Sequence, residues 1–125
     1  MANFRVTKSE LQLLQKLWDL GPASVREIQQ SLPEEHRPAY TTVQTLIYRL
    51  EEKGAVRRVK KIGNAHVFEA TLGRKAAYRR FINDLLDLLG GSPAPLMSHL
   101  VETGKLTLAD IRAIEKDLAA KEKRR

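Results

Sequence analysis

The sequence predicts a mainly α fold with one small β-wing, and three observations predict it. The first is the stretch PAYTTVQTLIYRLEEKG, Pro38 to Gly54, where Val43, Leu46, Ile47 and Leu50 follow the i, i+3, i+4, i+7 spacing of one buried helical face. The second is the segment AVRRVKKIGNAHVFEA, in which Val56 to Ile62 and Ala65 to Ala70 read as two short strands joined at Gly63-Asn64. The third is that every other segment carries helical spacing, two helices before this pair and three after it. Three helices followed by a hairpin describe a winged helix-turn-helix domain over residues 1–70. Residues 71–125 then read as a C-terminal helical dimerisation region.

The elements follow in order. Three helix starts share a capping box: Thr7 with Glu10, Ser24 with Glu27, and Thr107 with Asp110. The first helix is expected from about Lys8 to Leu20, with Leu11, Leu14, Leu17 and Trp18 inward and Gly21-Pro22 ending it. The second runs from about Val25 to Leu32, and the connection to Ala39 is longer than the tight turn of the simplest helix-turn-helix. Pro38 suits the first position of the third helix, and Gly54 suits the residue just past its last turn. From Thr71 a long helix carries Tyr78, Phe81, Ile82, Leu85, Leu86, Leu88 and Leu89 and stops at Gly90-Gly91. A short helix with Leu96, Met97, Leu100 and Val101 closes at Gly104, and a last one spans about Leu108 to Lys121. These tail helices have too little self-contained core for their apolar surface, and symmetric dimerisation is the usual remedy. Leu85, Leu89, Leu96, Leu100, Leu108, Ile111, Ile114 and Leu118 are the residues expected to meet a second copy.

The polar face of the third helix points to double-stranded DNA. It shows Thr41, Thr42, Gln44, Thr45, Tyr48 and Arg49, short or planar hydrogen-bonding groups where an ordinary solvated face carries Glu and Lys. A Gln can pair bidentately with adenine and a Thr methyl can pack on thymine. Arg49 lies further along, where backbone contact is expected. The hairpin adds Arg57, Arg58, Lys60 and Lys61 for phosphates, with Asn64 and His66 near the tip. Strand alternation puts Arg57 and Lys61 on one side, so only part of the set is expected to touch the backbone.

Composition narrows the classes. The net charge of +7 and pI near 9.9 favour a polyanionic partner. No cysteine is present, so disulfides, thiolate metal sites and a cysteine nucleophile are excluded. His36, His66 and His99 are scattered and lack acidic partners at ligand spacing, so neither a metal nor a cofactor is expected. Glu34-Glu35 and Glu51-Glu52 are neighbours that diverge by about 100° on a helix, and nothing near them resembles a nucleophile; the chain does not read as an enzyme. The start MANFRVTKSE lacks the apolar core of a signal peptide, and no run is long enough to span a bilayer. The expectation is a soluble cytoplasmic protein without direct membrane association.

TTVQTLIYRLEEKG with its basic wing, the opening ELQLLQKLW and the all-helical tail resemble the BlaI/MecI penicillinase-repressor family of bacterial transcriptional regulators. The resemblance covers nearly the whole chain; it is most specific at Tyr40–Gly54 and Glu10–Trp18 and loose in the tail. It implies a homodimeric repressor on a palindromic operator, with the C-terminal helices forming the dimer. It also implies base contact at Thr41, Thr42 and Gln44, although some members carry Lys and Arg where this chain has Thr41 and Gln44. In the best-known members a membrane-embedded zinc metalloprotease sensor triggers cleavage at an Asn-Phe bond in the tail. That point falls on His99-Leu100, where neither family residue is kept. A copper-responsive branch uses a cysteine-rich C-terminus, which this chain lacks. A protein-interaction module with incidental basic charge is the alternative from another class, and a non-specific DNA binder is a third.

Overall fold

The computed structural model describes residues 5–124. Helix α1, Lys8–Leu20, opens on its expected box: the Glu10 amide donates to Thr7 Oγ1 at 3.2 Å, and the Thr7 amide donates to Glu10 Oε1 at 2.9 Å. Its buried side chains are Glu10, Leu13, Leu14 and Leu17. Leu11 and Trp18, expected inward, lie at the margin of the core, and Leu13 replaces them. The reason is that α1 is covered by α2 and α3 together, and a helix covered from two sides buries more than one stripe.

Strand β1 is only Ala23–Ser24, and Ser24 also caps α2, Val25–Ser31. A 3₁₀ turn, Glu34–His36, occupies the connection that follows. The Arg37 guanidinium donates to the carbonyls of Gln30 and Leu32 at 2.9 and 3.0 Å, closing the open end of α2. Helix α3 is Tyr40–Glu52, capped by Ala39 without a side-chain bond. Pro38 therefore lies two residues before the helix instead of at its first position. Its carbonyl accepts from Gln29 Nε2 at 3.1 Å, and the Ala39 carbonyl takes the first helical amides, Thr42 and Val43.

The far end of α3 closes as expected at Gly54. The Gly54 amide donates to Glu51 O and the Ala55 amide to Leu50 O, with Gly54 at φ 80°, the paired bonds of a Schellman ending. Strands β2, Val56–Ile62, and β3, Ala65–Ala70, form the expected wing. The sheet is antiparallel in the order β1-β3-β2, because Ala23 and Ser24 pair with Phe68 and Val67. Two residues are too few to show a strand period, so β1 was not legible in the sequence. A bulge interrupts the β2–β3 register between Arg58 and Lys60.

The core gathers Leu13, Leu14, Leu17, Val25, Ile28, Val43, Ile47, Leu50, Ala55, Val56 and Phe68 from all these elements. Helix α4, Arg74–Leu88, adds Ala77. Trp18 Nε1 donates to Leu72 O at 3.0 Å, and the Trp18 and Tyr78 rings meet edge to face at 6.0 Å. The first compact unit thus continues to Asp84, beyond the end of the wing at Ala70, and the second begins at Leu85. That second unit holds the end of α4, helix α5, Ala94–Glu102, and helix α6, Leu108–Lys123.

Among the described residues one charged side chain is buried in the first unit. Glu10 is 1% exposed, and Lys53 Nζ reaches both its oxygens at 2.6 and 2.8 Å while also donating to Arg5 O at 2.7 Å. Burial pushes the Glu10 carboxyl up, but the Lys53 hydrogen bond, the Thr7 amide and the Lys53 charge together outweigh it. The group is held below its ordinary value of 4.5. The pair ties the start of α1 to the cap of α3.

Candidate nucleic-acid interface

Because α3 buries Val43, Ile47 and Leu50, the side chains between them are turned outward. Thr41, Thr42, Thr45, Tyr48 and Arg49 are exposed, and Gln44 is half-buried. Thr45 Oγ1 donates back to Thr41 O at 2.9 Å, which fixes its hydroxyl and presents its methyl. Gln44 Nε2 donates to Tyr48 Oη at 3.1 Å, so one amide proton is held while Oε1 and the other proton remain available.

Between α3, the start of α2 and β3 lies an open cleft of about 220 Å³. Gln44, Tyr48, Asn64 and His66, four of the residues that the sequence marked, line it together. Arg26 and Tyr40 also line it, with the Arg26 guanidinium 5.3 Å from the Tyr40 ring centroid. Sequence reasoning missed both, since only the packing of α2 against α3 brings them together.

The wing cations divide into two pairs. Arg57 Nε donates to Glu69 Oε2 at 2.6 Å, across the strand pair. Arg58 turns to α3, with Nε and Nη2 reaching the two Glu51 oxygens at 2.8 and 3.2 Å. Lys60 and Lys61 are exposed, and neither makes an ion pair among the described residues. The bulge also overturns the expectation that Arg57 and Lys61 share a face. Arg57 stands opposite Glu69 and Lys61 opposite His66, residues an odd step apart on β3, so the two side chains leave the sheet on opposite sides.

In the second unit Leu85, Leu89, Leu96 and Leu100 are half-buried. Leu108, Ile111, Ile114 and Leu118 on α6 are between 41% and 63% exposed. His99 and Leu100 lie inside α5, with their carbonyls accepting from the Thr103 and Lys105 amides. Among the described residues no group of His, Asp and Glu is arranged to hold a metal ion.

A sequence model of the penicillinase repressor family matches residues 6–120. The chain belongs to the penicillinase repressor family. As a member it is a DNA-binding transcriptional repressor and not an enzyme, which sets aside the interaction-module alternative. A 16.5 kDa protein of the ptsI 3′ region in Latilactobacillus sakei is 26% identical over 117 residues, spanning 93% of this chain and 80% of that one. Among solved structures, a MarR point mutant of E. coli in complex with operator DNA superposes with a TM-score of 0.55. It is 16% identical, over 92% of this repressor and 74% of that chain. A MarR family protein from Bacillus stearothermophilus gives a TM-score of 0.51 at 19% identity, over 98% of this chain and 76% of its own. These likenesses show a winged-helix fold shared with MarR-type regulators. No helix among the described residues is long and apolar enough to cross a membrane.

Proposed function

We propose that this repressor acts as a homodimer on a palindromic operator, with residues 1–70 reading DNA and residues 71–125 joining the two copies. Thr41, Thr42, Gln44 and Thr45 meet base edges, while Lys60 and Lys61 take phosphates on either side of the wing. Arg49 and Asn64 flank these contacts.

The observation that carries the dimer is the α6 stripe. Leu108, Ile111, Ile114 and Leu118 share one face of a helix and stay exposed in a single chain. Burying an apolar side chain is worth roughly 1.5–3 kcal/mol, so a second copy that covers the four gains several such increments. Release follows when this region is disrupted. Cleavage near His99-Leu100 by a membrane metalloprotease sensor is one route, and it requires α5 to open first, because both carbonyls are engaged in the helix.

Sedimentation tests the reading. The wild-type chain is expected to be a dimer at micromolar concentration, and Ile114→Asp a monomer with much weaker operator binding. A wild-type monomer at that concentration defeats the proposal.

A further inference from the structure

We propose that Arg58 is a positioning residue that sets sequence discrimination by locking the wing to the reading helix, instead of gripping DNA itself. The inference rests on the reading that α3 faces bases. Three contacts hold Arg58. Its guanidinium meets Glu51 of α3 through two nitrogens, at 2.8 and 3.2 Å. Its central carbon lies 5.3 Å from the Tyr48 ring centroid and 5.4 Å from that of Phe68. Tyr48 belongs to α3 and Phe68 to β3, and their rings stand 6.4 Å apart. One planar cation therefore bridges helix and wing through both an ion pair and two aromatic faces.

The same residue reaches a base-reading group at one remove. Tyr48 Oη accepts the Gln44 amide proton at 3.1 Å, so whatever fixes the Tyr48 ring fixes the rotamer of Gln44. The chain of contact runs Glu51, Arg58, Tyr48, Gln44. A bidentate base contact needs its amide plane held in advance, since a free Gln loses rotamer entropy on binding. The bulge after Arg58 serves the arrangement: it lets Arg58 turn toward α3 while Lys60, two positions on, leaves the opposite side of the sheet.

The probes are an operator duplex selected from a random-sequence pool by the wild-type protein, and a scrambled duplex of equal length. Arg58→Lys keeps the charge and loses both the fork and the planar stack. It is expected to lower the operator-to-scrambled affinity ratio by about tenfold, the size of one lost base contact, and to leave the salt slope unchanged. Glu51→Gln, which frees Arg58 without removing it, is expected to lower the same ratio. Combined with Gln44→Ala, either change is expected to add little, because all act on one contact. Thermal melts that show Arg58→Lys and Glu51→Gln folded at the assay temperature fix the comparison. If Arg58→Lys retains full discrimination, or if Glu51→Gln tightens both duplexes and steepens the salt slope, Arg58 is a phosphate contact and the inference fails. If Gln44→Ala itself leaves discrimination intact, it is the base-facing assignment of α3 that fails.

Discussion

At the scale of single residues, charge pairing decides what each cation can do. Among the described residues Lys60 and Lys61 have no carboxylate to leave, so binding a phosphate breaks no ion pair already made. Lys60→Ala and Lys61→Ala should each weaken binding to all sequences about equally. Each should shallow the salt dependence by about one unit of log–log slope, read from titrations at several ionic strengths. Lys53 has a different task. Its partner Glu10 is buried, and removing one member of a buried pair leaves an uncompensated charge. Lys53 itself is 25% exposed, so Lys53→Met should cost on the order of 2–4 kcal/mol in chemical denaturation at neutral pH. The sign with pH follows from the depressed Glu10 carboxyl. Its stabilisation is complete above the ordinary value of 4.5 and is lost as pH falls through the lower folded value. In Lys53→Met only the Thr7 bonds still oppose burial, so this part of the acid dependence should flatten. Denaturation curves from about pH 6 to pH 3 would show it.

At the scale of elements, most of the fold was legible in the sequence. The three capping boxes, the two long wing strands and the glycine end of α3 each declare themselves within a few residues. Gly54 is one that can be tested. It sits at φ 80° with open space where a Cβ would go, so substitution meets backbone strain and no clash. Gly54→Ala should cost about 1–2 kcal/mol, measurable as a lower melting temperature with the fold retained. What the sequence did not disclose is non-local. Leu13 enters the core only because α1 is covered from two sides. The β1 pairing is made by two residues of a loop. The bulge at Arg58–Lys60 leaves no mark in the composition of VRRVKKI, yet it reverses which side each later cation faces. The candidate interface was legible in its types and only partly in its roles. The polar face of α3 follows from helical spacing, whereas the engagement of Arg57 and Arg58 depends on Glu69 and Glu51, and no local pattern announces those partners.

At the scale of the whole molecule, the proposed function assigns reading and joining to different stretches of chain. The core cluster runs no further than Ala77, and nothing in it comes from α5 or α6. A fragment from residue 1 to 90 should therefore fold, with a cooperative melt of its own. Under the dimer proposal it should bind operator at least a hundredfold more weakly than the full chain, since linking two modules raises effective affinity by roughly 10²–10⁴ in general estimates. Gel-shift titration of the fragment against the full chain checks this. Undiminished affinity would rule out avidity as the basis of release, whatever signal the cell uses.

Trp18 is the sole tryptophan of the chain, and its surroundings join three parts of the first unit. The indole nitrogen is bonded to Leu72 after the wing, the indole and the Tyr78 ring of α4 meet in a T-shaped pair, and the Arg74 guanidinium lies 5.3 Å from the indole ring. The protein thus carries its own optical gauge. Fluorescence excited selectively in the indole is emitted from one spot, at the seam where the start of α4 rests on α1. A change in colour or lifetime there on adding operator would mean that DNA contact is felt at the root of the helix leading toward the tail. A constant signal would mean that the reading surface takes up DNA without disturbing that seam.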